Sequence, residues 1–320
     1  MTHQRSSDGY IGVGYQSAKG TAVAPDLFTR ANGADGWDFS QDVLEVKSLN
    51  ADEELDDILK TGQNVDGVIP FYVRPDFGAA MATFALGADS VTTGTVNTHV
   101  ITFAETLPWI TCERDLISAE RAEDCKINQL VIAGEAGMPL TMEASFFGID
   151  STIETATATS YETDVPFKFF EGTYNKDGGG SITTPTAFTI TINRGLEKVK
   201  TTDYKWDDIV ETNFTIDVNM TLKLEAADTQ YLAALYAGGT ALTSALDGGS
   251  FVVACTRGTG ATERAFSVNV PNLYWTGATK HLDPNTAPVY VDCVGKSFWK
   301  TATEPITVTV KNTTATSYLT

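Results

Sequence analysis

DDIVETNFTIDVNMTLKLEAADTQYLAALYAGG, residues Asp207 to Gly239, decides the fold. From Val210 to Leu224 the even positions carry Val210, Thr212, Phe214, Ile216, Val218, Met220, Leu222 and Leu224. The odd positions carry Glu211, Asn213, Thr215, Asp217, Asn219, Thr221 and Lys223. Period-two alternation over this length predicts one long strand with one buried and one wet face. At roughly 3.3 Å per residue it would run on the order of 50 Å. A slip of one residue would expose the apolar set at roughly 1.5 to 3 kcal/mol per side chain, so the register is strongly specified. Tyr231, Leu232 and Leu235 then share one helical face, and Gly238 and Gly239 supply the stop.

The same unit occurs earlier. A shift of about 151 residues lays Asp56-Asp57-Ile58-Leu59 on Asp207-Asp208-Ile209-Val210, Thr61 on Thr212 and Asp66 on Asp217. Val65, Ile69, Phe71 and Val73 fall on Ile216, Met220, Leu222 and Leu224, and Met81, Phe84 and Gly87 on Leu232, Leu235 and Gly238. Ile101 then aligns with Val252, Leu44-Glu45 with Leu196-Glu197 after one inserted residue, and Leu140 to Gly148 with Val289 to Gly295. Gly67 and Pro70 make the first copy look the less regular, with a bulge or unpaired edge there.

These matches predict a mainly β chain of two tandem β-sandwich domains, each with a long-stranded sheet and one short flanking helix. The expected division is an extended arm at 1–25, a first domain at 26–150, a linker at 151–165 over the small, polar STIETATATS, and a second domain at 166–320.

Composition narrows the function. Hydrophobic content of 42% and charged content of 20% are those of a globular protein, and no apolar run reaches the roughly 18 residues of a membrane span. The polar start, Met1 to Tyr10, lacks the apolar core of a secretory signal, which predicts folding in a cytoplasm. A formal net charge of −19 disfavours direct affinity for nucleic acid. Cys112, Cys125, Cys255 and Cys293 show no metal or redox spacing, and the strand cysteines Cys255 and Cys293 are expected as buried thiols.

Catalytic signatures are missing as well. His3, His99 and His281 stand apart, there is no HExxH or GxSxG, and Lys19-Gly20-Thr21 reverses the phosphate-loop order. The acidic run Asp52 to Asp57 lacks calcium-loop spacing. No catalytic, cofactor or metal residue is therefore assigned. Two other classes remain open: a glycan-binding β-sandwich using Trp275 and Trp299, and a hydrolase using a carboxylate pair, which 41 acidic residues make easy to find by chance.

Three stretches carry a family resemblance: FTITINRGLEKVKTTDYKWDDIVETNFTIDVNMTLKLEAADTQYLAALYAGG, the opening YIGVGYQSAKGTAVAP, and LPWITCERD followed by CKINQLVIAGEAGMPLTMEASFFG. Together they resemble the major tail tube proteins of long-tailed, siphophage-type bacteriophages. The resemblance implies a structural virion protein made in the host cytoplasm, whose inner sheets join between subunits into a β-barrel. Stacked rings of it form the tail, through which DNA passes without specific binding. Its first partner would be itself, as a trimer with pseudo-sixfold symmetry where the domain is duplicated or as a hexamer otherwise. Tape-measure, tail terminator and distal tail proteins would follow.

On that basis Asp66, Thr215, Asp217, Asn219 and Thr221, on the polar faces of the long strands, are expected to line the lumen. Asp52, Glu53, Glu54, Asp56 and Asp57, with Asp203, Asp207 and Asp208 in the counterpart Thr201 to Asp208, are expected in ring-to-ring loops. Tyr10 to Pro25 is expected to reach a neighbouring subunit.

Overall fold

A computed structural model describes residues 9–33, 36–47, 57–116, 118–176, 180–182, 185–223, 248–281, 289–300 and 303–320. In chain order the first half places β1 (Tyr10–Gln16), β2 (Leu27–Thr29), β3 (Asp38–Val46), β4 (Asp57–Tyr72), helix α1 (Pro75–Leu86), β5 (Gly87–Thr92), β6 (Asn97–Phe103), β7 (Trp109–Asp115), β8 (Ala119–Glu135), β9 (Thr141–Gly148) and β10 (Asp150–Glu154). The second places β11 (Gly172–Lys176), β12 (Gly180–Ser181), β13 (Pro185–Asn193), β14 (Leu196–Val199), β15 (Asp208–Glu211), β16 (Thr215–Lys223), β17 (Gly248–Arg257), β18 (Arg264–His281), β19 (Tyr290–Ser297) and β20 (Thr307–Asn312). The protein is mainly β and its pairings are antiparallel.

Alternation builds the front layer. Eight strands follow as β3-β4-β9-β8-β13-β16-β19-β18, so the two halves share one sheet through the β8–β13 pair. One face is apolar, with Ile69, Phe146, Leu130, Ile190, Val218 and Trp275 in a single core. The first parts of β8 and β18 bend away into a back layer, ordered β2-β1-β7-β8-β10 and β12-β11-β17-β18-β20-β6-β5. Helix α1 lies against the strands of this layer with nearly every residue buried, and its alanines 79, 80, 82 and 85 permit close approach.

The pairing pattern occurs twice, irregularities included. Lys126 and Ile127 face Phe147 and Phe146, Asn128 is skipped, and Gln129 faces Ser145. In the second half Tyr274 and Trp275 face Lys296 and Gly295, Thr276 is skipped, and Gly277 faces Val294. A second shift recurs where Ile110 and Cys112 face Cys125 and Ala122, as Gly249 and Phe251 face Leu273 and Val270. Bulges re-aim strands and displace register, so their recurrence in matching places is more specific than shared alternation.

This register revises several sequence expectations. Strand β17 repeats β7, so Ile101 is not the structural counterpart of Val252. Val43 faces Lys60 as Leu196 faces Glu211, which places two residues, not one, between the upstream strands. The long strand is unbroken in the first half, where β4 runs 16 residues, and broken in the second between Glu211 and Thr215. Gly195 explains the break: at φ 56 its missing Cβ would lie 2.5 Å from the Asn213 carbonyl oxygen, and the chain folds sharply there. Gly67 does not weaken β4, because a Cβ there would meet the Phe146 ring at 2.4 Å; the glycine lets that ring seat against the strand. Pro70 lies beyond the β3 register, on the edge that was expected. The helix expected at Tyr231 to Gly239 falls outside the described residues.

Two segments expected to be loose are ordered. Tyr10–Gln16 pairs with β7 of its own chain and is largely buried, so this part of the arm belongs to the sheet. Asp150–Glu154 pairs with β8, and farther along the supposed linker the Glu162 carboxylate accepts the Asp76 and Phe77 N–H groups at 2.9 and 3.1 Å. That caps α1, whose Arg74 side chain makes no cap bond and whose end is closed by Gly87 at φ 99.

Burial, with Asp76 and Asp164 nearby, raises the Glu162 carboxyl from 4.5 to about 7. The folded state therefore holds this proton more tightly than the unfolded chain does. Its contribution to stability is present below pH 4.5 and is lost as pH rises towards about 7. Thermal midpoints should fall across that window, and Glu162→Gln should flatten this part of the profile; an unchanged slope would assign the dependence elsewhere.

Candidate assembly and channel surface

The face of the front sheet opposite the core is polar and open. Thr215, Asp217, Asn219 and Thr221 of β16 share it, as the alternation demands. Neighbouring rows add Thr191 beside Asp217, Thr189 beside Asn219, and Asp292 of β19, which accepts the Thr221 hydroxyl at 2.7 Å. Lys296 bridges Asp217 at 3.5 Å. Asp66 occupies the equivalent place on β4 and is paired differently: Lys198 reaches across from β14 to pair with it and with Asn64.

That crossing comes from the β14–β15 hairpin, which folds back over the first half. Leu196 and Ile209 pack with Leu107 and Ile149 in a second small core, flanked by Trp109, Phe147 and Trp206. Lys126 donates to the Ile209 carbonyl at 2.8 Å and to Glu211 at 2.9 Å, and Glu211 also accepts the Leu107 N–H at 2.9 Å. Burial pushes the Glu211 carboxyl up, but these bonds and the Lys126 charge more than offset it and hold it below its usual range. Trp206 donates to the Gln63 carbonyl at 2.8 Å, and Lys205 pairs with Asp150.

The matching hairpin of the first half, β3–β4, is more open among the described residues, though Lys60 lies over the Tyr204 ring at 4.7 Å. Val43, Leu44, Ile58 and Leu59 are exposed, Val43 at 55% and Ile58 at 56%. By register Val43 corresponds to Leu196 and Ile58 to Ile209, which are 7% and 0% exposed. Identical positions are thus buried once and open once.

The loop candidates divide the same way. Asp52, Glu53, Glu54 and Asp56 lie outside the described residues, and Asp57 opens β4 on the exposed hairpin. Asp203 and Asp208 accept the N–H of Tyr204 and Ile209. The Asp207 carbonyl accepts from Lys19, so this turn is tied back to its own chain. Sequence reasoning missed Lys126 and Glu211, because a charged residue beside a strand pattern reads as solvated and only the fold-back brings the two together.

Both ends of the eight-stranded sheet are open. Among the described residues β3 pairs only with β4, and the segment from Trp275 to His281 pairs only with β19. The sheet does not close within one chain.

Elsewhere, some buried polar groups are paired within the fold, while the Gln16 side chain and the Trp275 Nε1 are buried without a hydrogen-bond partner. His99 contacts Asp89 at 3.1 Å; burial pushes its pKa down, but that carboxylate more than offsets it and the net shift is upward. Glu113 pairs with Arg121 at 2.7 Å and accepts from Tyr10, whose phenol burial helps push up to about 12. All four cysteines are buried and in no disulfide, and Cys255 and Cys293 were expected as buried thiols. Among the described residues no group of three His, Cys, Asp or Glu could hold a metal ion, and no helix is long and apolar enough to cross a membrane. Trp275 is core at 2% exposed, whereas Trp299 is 60% exposed.

Together these features define a β-rich protein with open sheet edges, a polar sheet face and an exposed hairpin. The family model described as phage tail tube protein matches residues 6–309, and the chain belongs to that family. It is therefore a structural component of a bacteriophage virion tail. No curated protein matches the chain.

The contrast between hairpins is measurable. In unassembled protein Ile209→Ala should cost about 2 to 5 kcal/mol of stability by emptying a packed site. Ile58→Ala should change it by no more than about 0.5 kcal/mol. Denaturant unfolding of both variants checks this, and equal losses would mean that the hairpins are not differently packed.

Proposed function

We propose that three copies of this chain close edge to edge into a ring, and that stacked rings form the tail tube of a long-tailed, siphophage-type phage. The chain then acts as a tandem duplication, one unit running from β1 to β10 and the other from β11 to β20, joined by residues 155–166. The observation that carries this reading is the β8–β13 pair. It joins the halves with Leu130 opposite Ile192 and Gln129 opposite Asn193. The repeated register transfers those positions to Ala278 and Phe39, and to Gly277 and Ser40, which lie on the two open edges.

Closure would give three times eight, or 24, strands. At about 4.8 Å per strand the wall has a circumference of about 115 Å and a backbone diameter of at least about 37 Å, wide enough for a DNA duplex. Six chains would double that circumference. Closure also removes the unpaired edges that make a lone sheet prone to uncontrolled pairing.

The polar face lines the channel in this reading, since the apolar face is taken by the core. Thr189, Thr191, Asn219, Thr221 and Asp292 offer hydroxyl, amide and carboxylate groups to water, and three chains at −19 bring −57 formal charges to a ring. A negative wall repels phosphate and lets DNA slide without being held. Rings stack through the loops that end the long hairpins. A tape-measure protein in the lumen and terminator and distal tail proteins at the ends complete the assembly. The role is structural, not enzymatic.

Purified protein at high concentration should form stacked rings visible by negative-stain microscopy, with trimers as the smallest closed species by light scattering. Hydrogen exchange should show the amides of 36–40 and 277–281 that point away from β4 and β19 exchanging fast in the monomer and slowly in the tube. Tubes in which those amides stay unprotected would rule out closure at these edges.

A further inference from the structure

The chain holds half of a contact whose other half is vacant. Its own second-half hairpin is seated against Ile149, Leu107 and Trp109, with Lys126 and Asp150 providing the polar ties. By the shared register Ile149 corresponds to Phe298, Asp150 to Trp299 and Lys126 to Tyr274. Phe298 and Trp299 help to line an open aromatic groove of about 290 Å³, together with Phe103, Phe214 and Pro305 among others.

The groove is preassembled. Tyr274 stacks on Phe298 with ring centres 4.2 Å apart, and Phe103 contacts Phe214 at 4.5 Å and Trp299 at 5.4 Å. Beneath Phe103 and Phe214 lies the Arg194 guanidinium, which donates to the Ala104 carbonyl at 2.7 Å. A rigid aromatic groove with one tryptophan mostly in water has the character of an interface anchor.

We infer that this groove receives the tip of the β3–β4 hairpin of a second copy of this chain, with Val43 and Ile58 seated against Phe298 and Trp299 as Leu196 and Ile209 are seated against Ile149 within one chain. The inference rests on the ring reading above and adds to it the groove, its occupant and the order of assembly. In the intrachain contact Lys198 of the hairpin meets Asp66. Its counterpart in the first hairpin is Glu45, which the register brings to the Asp217–Lys296 ion pair, Asp217 holding the place of Asp66 and Lys296 that of Phe147.

One consequence follows for the channel. Asp217, partly exposed and paired with Lys296 in the single chain, comes under the neighbour's hairpin in the ring, as Asp66 lies beside Lys198 within one chain. The apolar tip stays in water until the neighbour arrives, so unassembled chains carry an adhesive hairpin and a waiting groove.

The test uses the full chain. Ile58→Cys and Phe298→Cys are introduced together and treated with a short bifunctional maleimide under assembling conditions, the four native thiols being buried. Covalent species of up to three chains are expected on a denaturing gel from the double variant, and none from either single variant. Because Phe298→Cys alters the groove, Val43→Asp on the exposed hairpin serves as a second variant. It should leave the monomer's thermal midpoint unchanged and raise the concentration needed for assembly about tenfold or more. Tubes with no crosslink and no effect of Val43→Asp would overturn the seating while leaving the ring intact. A wild-type chain that forms no rings would overturn both.

Discussion

An edge strand leaves a row of backbone N–H and C=O groups without partners, and a sheet that ends in two such rows must cover them, blunt them or join them. The eight-stranded front sheet ends in β3 and in the last part of β18, each paired on one side only. Its apolar face is spent on the core and its polar face on water, so the remaining capacity for contact lies at the edges and at the hairpin tip. The family to which the chain belongs builds a tail tube, and edges of this kind are what a tube wall of repeated copies requires.

Recurrent bulges say more than recurrent strands do. Period-two alternation can arise in any half-buried sheet, but a skipped residue at Asn128 and again at Thr276, each one position after the residue facing the partner strand's core aromatic or glycine, places the same kink in both halves. The kink turns one continuous strand from the front layer into the back layer. A single strand thereby belongs to two sheets, and the two layers are held in fixed relation without a separate connection.

Within this shared plan the two hairpins meet different fates. Leu196 and Ile209 are buried because the chain turns at Gly195 and lays them on the first half, where Lys126 and Glu211 complete each other. Val43 and Ile58 stand at the same register and are exposed in one chain. The difference is not one of hydrophobicity, since both pairs are apolar. It lies in whether a neighbouring half is covalently present.

The sequence by itself determined which residues alternate, that the alternation recurs at a spacing of about 151 residues, and that no recognisable catalytic motif accompanies it. Alternation is legible because side-chain direction in a strand has a period of two whatever the strand's neighbours are. Partner choice is not, because it depends on backbone groups that carry no sequence signal of their own. Only the tertiary structure could therefore show that β17 repeats β7 and not β6, that the Asp207 to Leu224 strand breaks at Thr212 to Phe214, and that the opening segment joins the sheet. It also decided that Asp66 pairs with Lys198 of the distant β14–β15 hairpin while Asp217 pairs with Lys296 of the adjacent strand. Each of these was settled by a contact between residues far apart in the chain, made possible by a turn such as the one at Gly195 that closes only when both surfaces are in place.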